Sequence, residues 1–169
     1  MPETIEQYKQ RLLSYSEGKE ALDIQRTTAD KLSAFIQGKS SDHLNRQPAP
    51  GKWSVAQILA HLGDAEVANS WRYRQILSTN AIPIQAYDQD RWAAAFDYSH
   101  RDPKRSLEFF RTLRASNLSL LDSVPRELWD NYGVHEERGN ESIAHLVRMI
   151  AGHDVNHLRQ IEGILAKTH

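Results

Sequence analysis

The chain has 169 residues, 40% apolar and 25% charged, with 21 Lys and Arg against 22 Asp and Glu and a formal charge of −1. That length can bury a core without staples, and the interspersed, nearly balanced charge offers no electrostatic footprint for nucleic acid or an anionic membrane surface. Cysteine is absent, which excludes disulfides, thiolate metal sites and cysteine nucleophiles, so any metal must be held by His, Asp or Glu.

The opening segment, MPETIEQYKQRLLSYSEG, is polar and amphipathic and lacks the apolar stretch of a signal peptide. No run approaches the ~20 apolar residues that span a bilayer. A cytoplasmic protein without membrane association is expected. A short helical stretch near 3–16 precedes the first long helix, over roughly 20–37, where Leu22, Ala29, Leu32, Phe35 and Ile36 recur at helical spacing. The second long helix opens at Ser54, where Ser54-Val55-Ala56-Gln57 forms a capping box, and runs to about Leu77. Residues 79–101 are too long for a plain loop, and Tyr87-Asp88-Gln89-Asp90-Arg91-Trp92 predicts a short helix within them. The third long helix takes Asp102 as N-cap and Pro103 as its first residue, and the fourth starts near Asn140 and runs through Leu165. Strand signals are nearly absent, because nothing alternates with period 2 for more than a few residues. The fold class is therefore all-α, a four-helix bundle with extra short helices, in a single domain spanning 1–169.

His153 and His157 stand four residues apart on the fourth helix, which puts both rings on one face. His157 falls inside the apolar arc of Ile143, Leu146, Val147, Ile150, Leu158, Ile161 and Leu165, with His153 at its border. On the second helix His61 sits just beyond the edge of the arc of Val55, Ile58, Leu59, Leu62, Tyr73, Ile76 and Leu77. A pair on one helix and a third imidazole on another is how a bundle builds an interior metal site, and three neutral nitrogens leave a coordination position open. His43 and His100 in polar connectors, His145 off the inward face and the terminal His169 read as solvated. His135, before the fourth helix, reads either as surface or as overhanging the site. Asp154 and Glu66 fall within apolar arcs, where a carboxylate needs a partner. Each is a candidate to orient a ligand histidine or act as a base, with an ion pair to an arginine at the bundle rim as the alternative for Glu66. Asn156 and Gln160 flank the pair and are candidates for hydrogen bonds to substrate or water. Trp53, Trp71, Trp92 and Trp129 read as core and helix-end packing.

Taken together, Lys52-Trp53-Ser54, His61-Leu62, Tyr87-Asp88 with Trp92, Gly139, Gly152-His153-Asp154 and His157-Leu158-Arg159-Gln160-Ile161 resemble the DinB-like superfamily over about residues 20 to 165. The resemblance implies an up-down four-helix bundle, often a homodimer, with zinc or nickel on His61, His153 and His157. It also implies bacillithiol transferase-like, mycothiol-dependent isomerase or metal-dependent hydrolase activity toward a small-molecule substrate. Thiol S-transfer is the preferred expectation, and the sulfur must then come from a low-molecular-weight thiol cosubstrate. Hydrolysis by metal-activated water is the second form, and a non-catalytic metal-holding stress or ligand-binding module is the alternative class.

Overall fold

The computed structural model describes residues 3–167, so His169 lies outside the described residues. Helix α1 (Ile5–Tyr15) is capped by Thr4 and Gln7 in a reciprocal box. Helix α2 (Ala21–Ile36) is followed by the short α3 (Ser41–Asn45). Helix α4 (Val55–Ser78) opens at the expected capping box: the Gln57 N–H donates to Ser54 Oγ at 3.2 Å and the Ser54 N–H donates to Gln57 Oε1 at 2.9 Å. Asp88 caps the short α5 (Gln89–Ala95), and Asp102 with Pro103 starts α6 (Pro103–Ser123) as their chemistry requires. Helix α7 (Ile143–Leu165) begins where Ser142 Oγ accepts from the His145 N–H.

That start is three residues later than expected, because the segment before it is paired in a sheet. Strands β1 (Ile82–Ile84), β2 (Tyr132–His135) and β3 (Gly139–Ser142) form a sheet in the order β1-β2-β3. β1 runs parallel to β2 with Ile84 opposite His135, and β2 runs antiparallel to β3 with His135 opposite Gly139. The expectation of almost no strand structure fails here. Strands this short carry no alternation to read, and the hairpin turns on Glu136-Glu137-Arg138 ahead of Gly139 at φ +74°, without an Asn-Gly or Asp-Gly signal. Gly133 is required for closeness: a Cβ there would lie 2.8 Å from Ile84 and 3.1 Å from Ile76, which locks the sheet onto α4.

The long helices α2, α4, α6 and α7 form the bundle, and their order around it is a finding. α4 packs against α6 and α7, and α2 packs against α7 and α6, so the consecutive pairs α2/α4 and α6/α7 stand diagonally opposed. Long connections make this possible: α3 with its flanking loops joins the first pair, and β2 and β3 join the second. α1 lies outside, along α7.

Two apolar clusters fill the interior, one around Leu32, Leu59, Phe110 and Ile161, the other around Tyr73, Ile76, Leu121 and Ile143. Each such fully buried side chain stabilises the fold by roughly 1.5–3 kcal/mol. Between Leu59 and Tyr73 on α4, between Phe110 and Leu118 on α6, and between Ile150 and Ile161 on α7, polar side chains join the buried set, among them His61, Glu66, Arg114, Asn117, Asp154 and His157. Those three stretches meet as one layer, and the candidate site lies in it. Trp71 does not join either cluster: it is 65% exposed, so the packing role expected for it is corrected, while Trp129 is buried as expected.

Candidate metal centre

The structure brings His61, His153 and His157 together. His153 Nε2 lies 3.0 Å from His61 Nε2 and 3.1 Å from His157 Nε2, and the three nitrogens form a group that no carboxylate among the described residues joins. A metal bound at about 2.0–2.1 Å to each tetrahedrally placed nitrogen would set neighbouring nitrogens roughly 3.3 Å apart, so the triangle needs little adjustment to take one ion. His61 is 1% exposed, deeper than its position beyond the apolar arc suggested, because Trp53 packs its ring 5.1 Å from the imidazole and closes that side.

Burial makes all three rings neutral lone-pair donors. Desolvation, with the neighbouring His157 charge second, lowers His61 to a pKa of about 3, and desolvation lowers His157 to about 4 against a smaller opposing effect of Gln160. His153 is held well below the usual histidine range, first by burial and then by its two neighbours. His157 Nδ1 lies 2.9 Å from Gln160 Oε1. An amide oxygen only accepts, so Nδ1 carries the proton and Nε2 is left bare toward the cluster. His61 Nδ1 is buried without a hydrogen-bond partner.

Both carboxylates pair with an arginine, the alternative the sequence offered for Glu66, but in the interior and not at the rim. Arg114, buried on α6, donates to both oxygens of Asp154, one of them at 2.9 Å, and to Glu66 Oε1 at 3.1 Å. Thr28 Oγ1 donates to Asp154 and Asn117 Nδ2 to Glu66, each at 2.9 Å. Neither carboxylate touches a ligand histidine or reaches the rim; together they bind α2, α4, α6 and α7 through one guanidinium. Desolvation raises the Asp154 pKa and the Arg114 charge opposes that rise. Arg114 went unforeseen because an arginine on an amphipathic helix reads as solvated. The demand of two inward carboxylates for a cation was the available signal.

Of the remaining candidates, Gln160 orients His157 as described, whereas Asn156 Oδ1 accepts from Arg11 Nη1 at 2.7 Å and is thereby turned toward α1. His135 is buried at the end of β2, accepts from the Glu137 N–H at 3.2 Å, and stays outside the histidine group. His145 is half-buried, its pKa lowered mainly by desolvation, so the fully solvated role expected for it is corrected. His100 is exposed and paired with Asp97, as its connector position predicts.

Two openings reach the cluster. A cavity of about 290 Å³ touches His61 and His153, and a second of about 250 Å³ touches His157 and Gln160 from the Lys52–Trp53 side. Gln89, in the first turn of α5, lines both. Among the described residues no helix is long and apolar enough to cross a membrane.

The architecture has known counterparts. The family model described as the DinB superfamily matches residues 24–161. OB0413 of Oceanobacillus iheyensis, provisionally named a metal-dependent hydrolase, is 24% identical over 136 residues, covering 80% of this chain and 78% of its own length. The solved structure of YfiT from Bacillus subtilis, described as a probable metal-dependent hydrolase with an unusual four-helix bundle topology, superposes with a TM-score of 0.78 at 18% identity, over 95% of this chain and 87% of YfiT. A mycothiol-dependent maleylpyruvate isomerase superposes with a TM-score of 0.62 at 12% identity, over 80% of this chain and 58% of the isomerase. With the family model spanning all four bundle helices and the bundle reproduced in solved structures, the chain belongs to the DinB superfamily.

Proposed function

We propose that His61, His153 and His157 hold one divalent metal ion, zinc in the first place and nickel as the alternative, and that the chain is a single-domain enzyme acting on a small molecule there. The observation that carries this reading is the convergence of three Nε2 atoms, with Gln160 fixing the tautomer of one. Imidazole ligands suit zinc, and three of them leave room for a fourth, exogenous ligand. A divalent ion supplies Lewis acidity, lowering the pKa of a coordinated thiol or water toward neutrality.

The residues around the cluster favour a thiol as nucleophile. Asp154 and Glu66 are committed to Arg114, and Asp64, three residues from His61, accepts from the Tyr98 hydroxyl at 2.7 Å, so none of these buried carboxylates is a free base. A thiol titrates near 8.5 and needs less help than water to ionise at neutral pH. With no cysteine in the chain, that thiol is a low-molecular-weight cosubstrate. The α7 wall of the larger cavity offers Leu146, Met149 and Ile150 to its carbon skeleton or to that of the electrophile. Trp53 shields His61 on the far side, keeping water off one edge of the cluster.

The test is conjugation of bacillithiol or glutathione to chlorodinitrobenzene, with thiol-free hydrolysis of nitrophenyl acetate as the parallel assay. S-transfer that needs metal and is lost in His153→Ala supports the reading; ester hydrolysis alone replaces the thiol with water. Metal-loaded protein at background rate in both assays would return the chain to a non-catalytic metal-holding module.

A further inference from the structure

The face of α4 that carries His61 continues through Ala65, Asn69 and Arg72, and all four line the larger cavity. Spacings of four, four and three keep these residues in one row, so Arg72 stands three turns beyond His61, about 16 Å along the axis. The Arg72 guanidinium sits beside the Tyr87 ring, which lines the same cavity.

Arg72 is 7% exposed, yet among the described residues no carboxylate pairs with it. Its Nη2 donates to the Gln85 carbonyl at 2.8 Å, and the Tyr87 ring centre lies 5.5 Å from its guanidinium carbon. Two other arginines of the interior and the cavity wall are matched. Arg114 holds Asp154 and Glu66, and Arg138 donates to both oxygens of Glu141 at 2.6 and 2.8 Å. Glu141 therefore acts on Arg72 only at a distance. Burial and the Arg138 charge both disfavour the Arg72 cation. A buried guanidinium with most of its five donors unspent, on the wall of a ligand-sized cavity, lacks an anion.

We propose that Arg72 anchors a carboxylate on a small, elongated ligand whose other end reaches the three-histidine centre. The planar fork of a guanidinium matches a carboxylate through two parallel hydrogen bonds, and the cavity lies at the lower end of small-molecule pockets in size. The inference rests on the metal reading only for what the far end of the ligand meets; the anchor belongs to the chain and is testable without metal.

The experiment titrates hexanoate and hexanamide into metal-free protein from which chelator has been removed, following the Arg72 Nε–H resonance and affinity by NMR. Hexanoate should bind at least about tenfold more tightly than hexanamide, the gain expected of a charged hydrogen bond. It should shift the Arg72 resonance, and its advantage should collapse in Arg72→Gln and survive in part in Arg72→Lys. Equal affinity of the two probes for the wild-type protein would overturn the anchor, as would a preference undiminished in folded Arg72→Gln. If Arg72→Gln does not fold, the wild-type ratio and the resonance shift decide alone. A preference found in protein that never takes up metal keeps the anchor and removes the metal reading, and metal uptake without the preference does the reverse.

Discussion

The backbone carbonyl of Leu12 on α1 presses against Gly152 on α7, at a place where a Cβ would overlap it. Gly152 immediately precedes His153, so the packing of the outer helix and the position of a ligand nitrogen are set within one turn.

Gly152→Ala should therefore cost about 1–3 kcal/mol, the range for overpacking, and should weaken metal retention as well because α1 must move away. Urea denaturation and metal content measured on the same sample check this. Gly163→Ala, where nothing lies within 4 Å of the added carbon, is the control, and it should be neutral or stabilising.

Removing Arg114 strands two buried carboxylates. Arg114→Met should destabilise by about 3–5 kcal/mol near neutral pH, the cost of breaking a buried pair from one side. Without the guanidinium the folded-state pKa of Asp154 rises further above its unfolded value, so the folded variant binds the extra proton and recovers stability as pH falls through that raised pKa. Chemical denaturation at pH 8 and pH 5 should show the gap to wild type narrowing at the lower pH.

Proton linkage has the opposite sign at the histidines. In metal-free protein His61 titrates at about 3 and His157 at about 4, below the unfolded value near 6.5. Between those limits the unfolded chain binds protons that the folded chain refuses, so stability falls as pH drops below 6.5. Each histidine contributes a slope of up to about 1.4 kcal/mol per pH unit. Urea midpoints from pH 8 to 4.5 should show this decline, less steep in His157→Asn; an equal slope in the variant would contradict it.

The long helices were legible because their apolar residues recur at helical spacing and because Ser54 with Gln57, and Asp102 with Pro103, write helix starts into the sequence. The histidine grouping followed from the same wheels, which placed His153 and His157 at one arc and His61 near another. Three features were not legible. The sheet depends on pairing between residues 82–84 and 132–142, far apart in sequence, and each strand is too short to carry its own period. The helix order depends on connections whose path no local pattern encodes. Nothing in the sequence singles out Arg114 or Arg72, since an arginine's burial is decided by what the rest of the fold gathers around it. Asn156 and Gln160 share one face of α7, and what separates them is the partner each meets, Arg11 of α1 for the first and the His157 ring for the second.

Among the histidines, His61→Ala, His153→Ala and His157→Ala should each lower metal affinity strongly, by tenfold or more, whereas His43→Ala, His100→Ala and His145→Ala should change it little. Competition with a chromogenic chelator ranks all six. A site emptied by His145→Ala and retained in His61→Ala would place the third ligand on another face of α7.

The most direct test of the three-histidine centre is the metal content of tag-free protein, purified without a nickel column after growth in zinc- and nickel-supplemented medium and measured by elemental analysis. About one equivalent of divalent metal per chain, absent from His153→Ala prepared in the same way, is the predicted result. A content near zero in the wild-type protein, or an equal content in the variant, would contradict the centre.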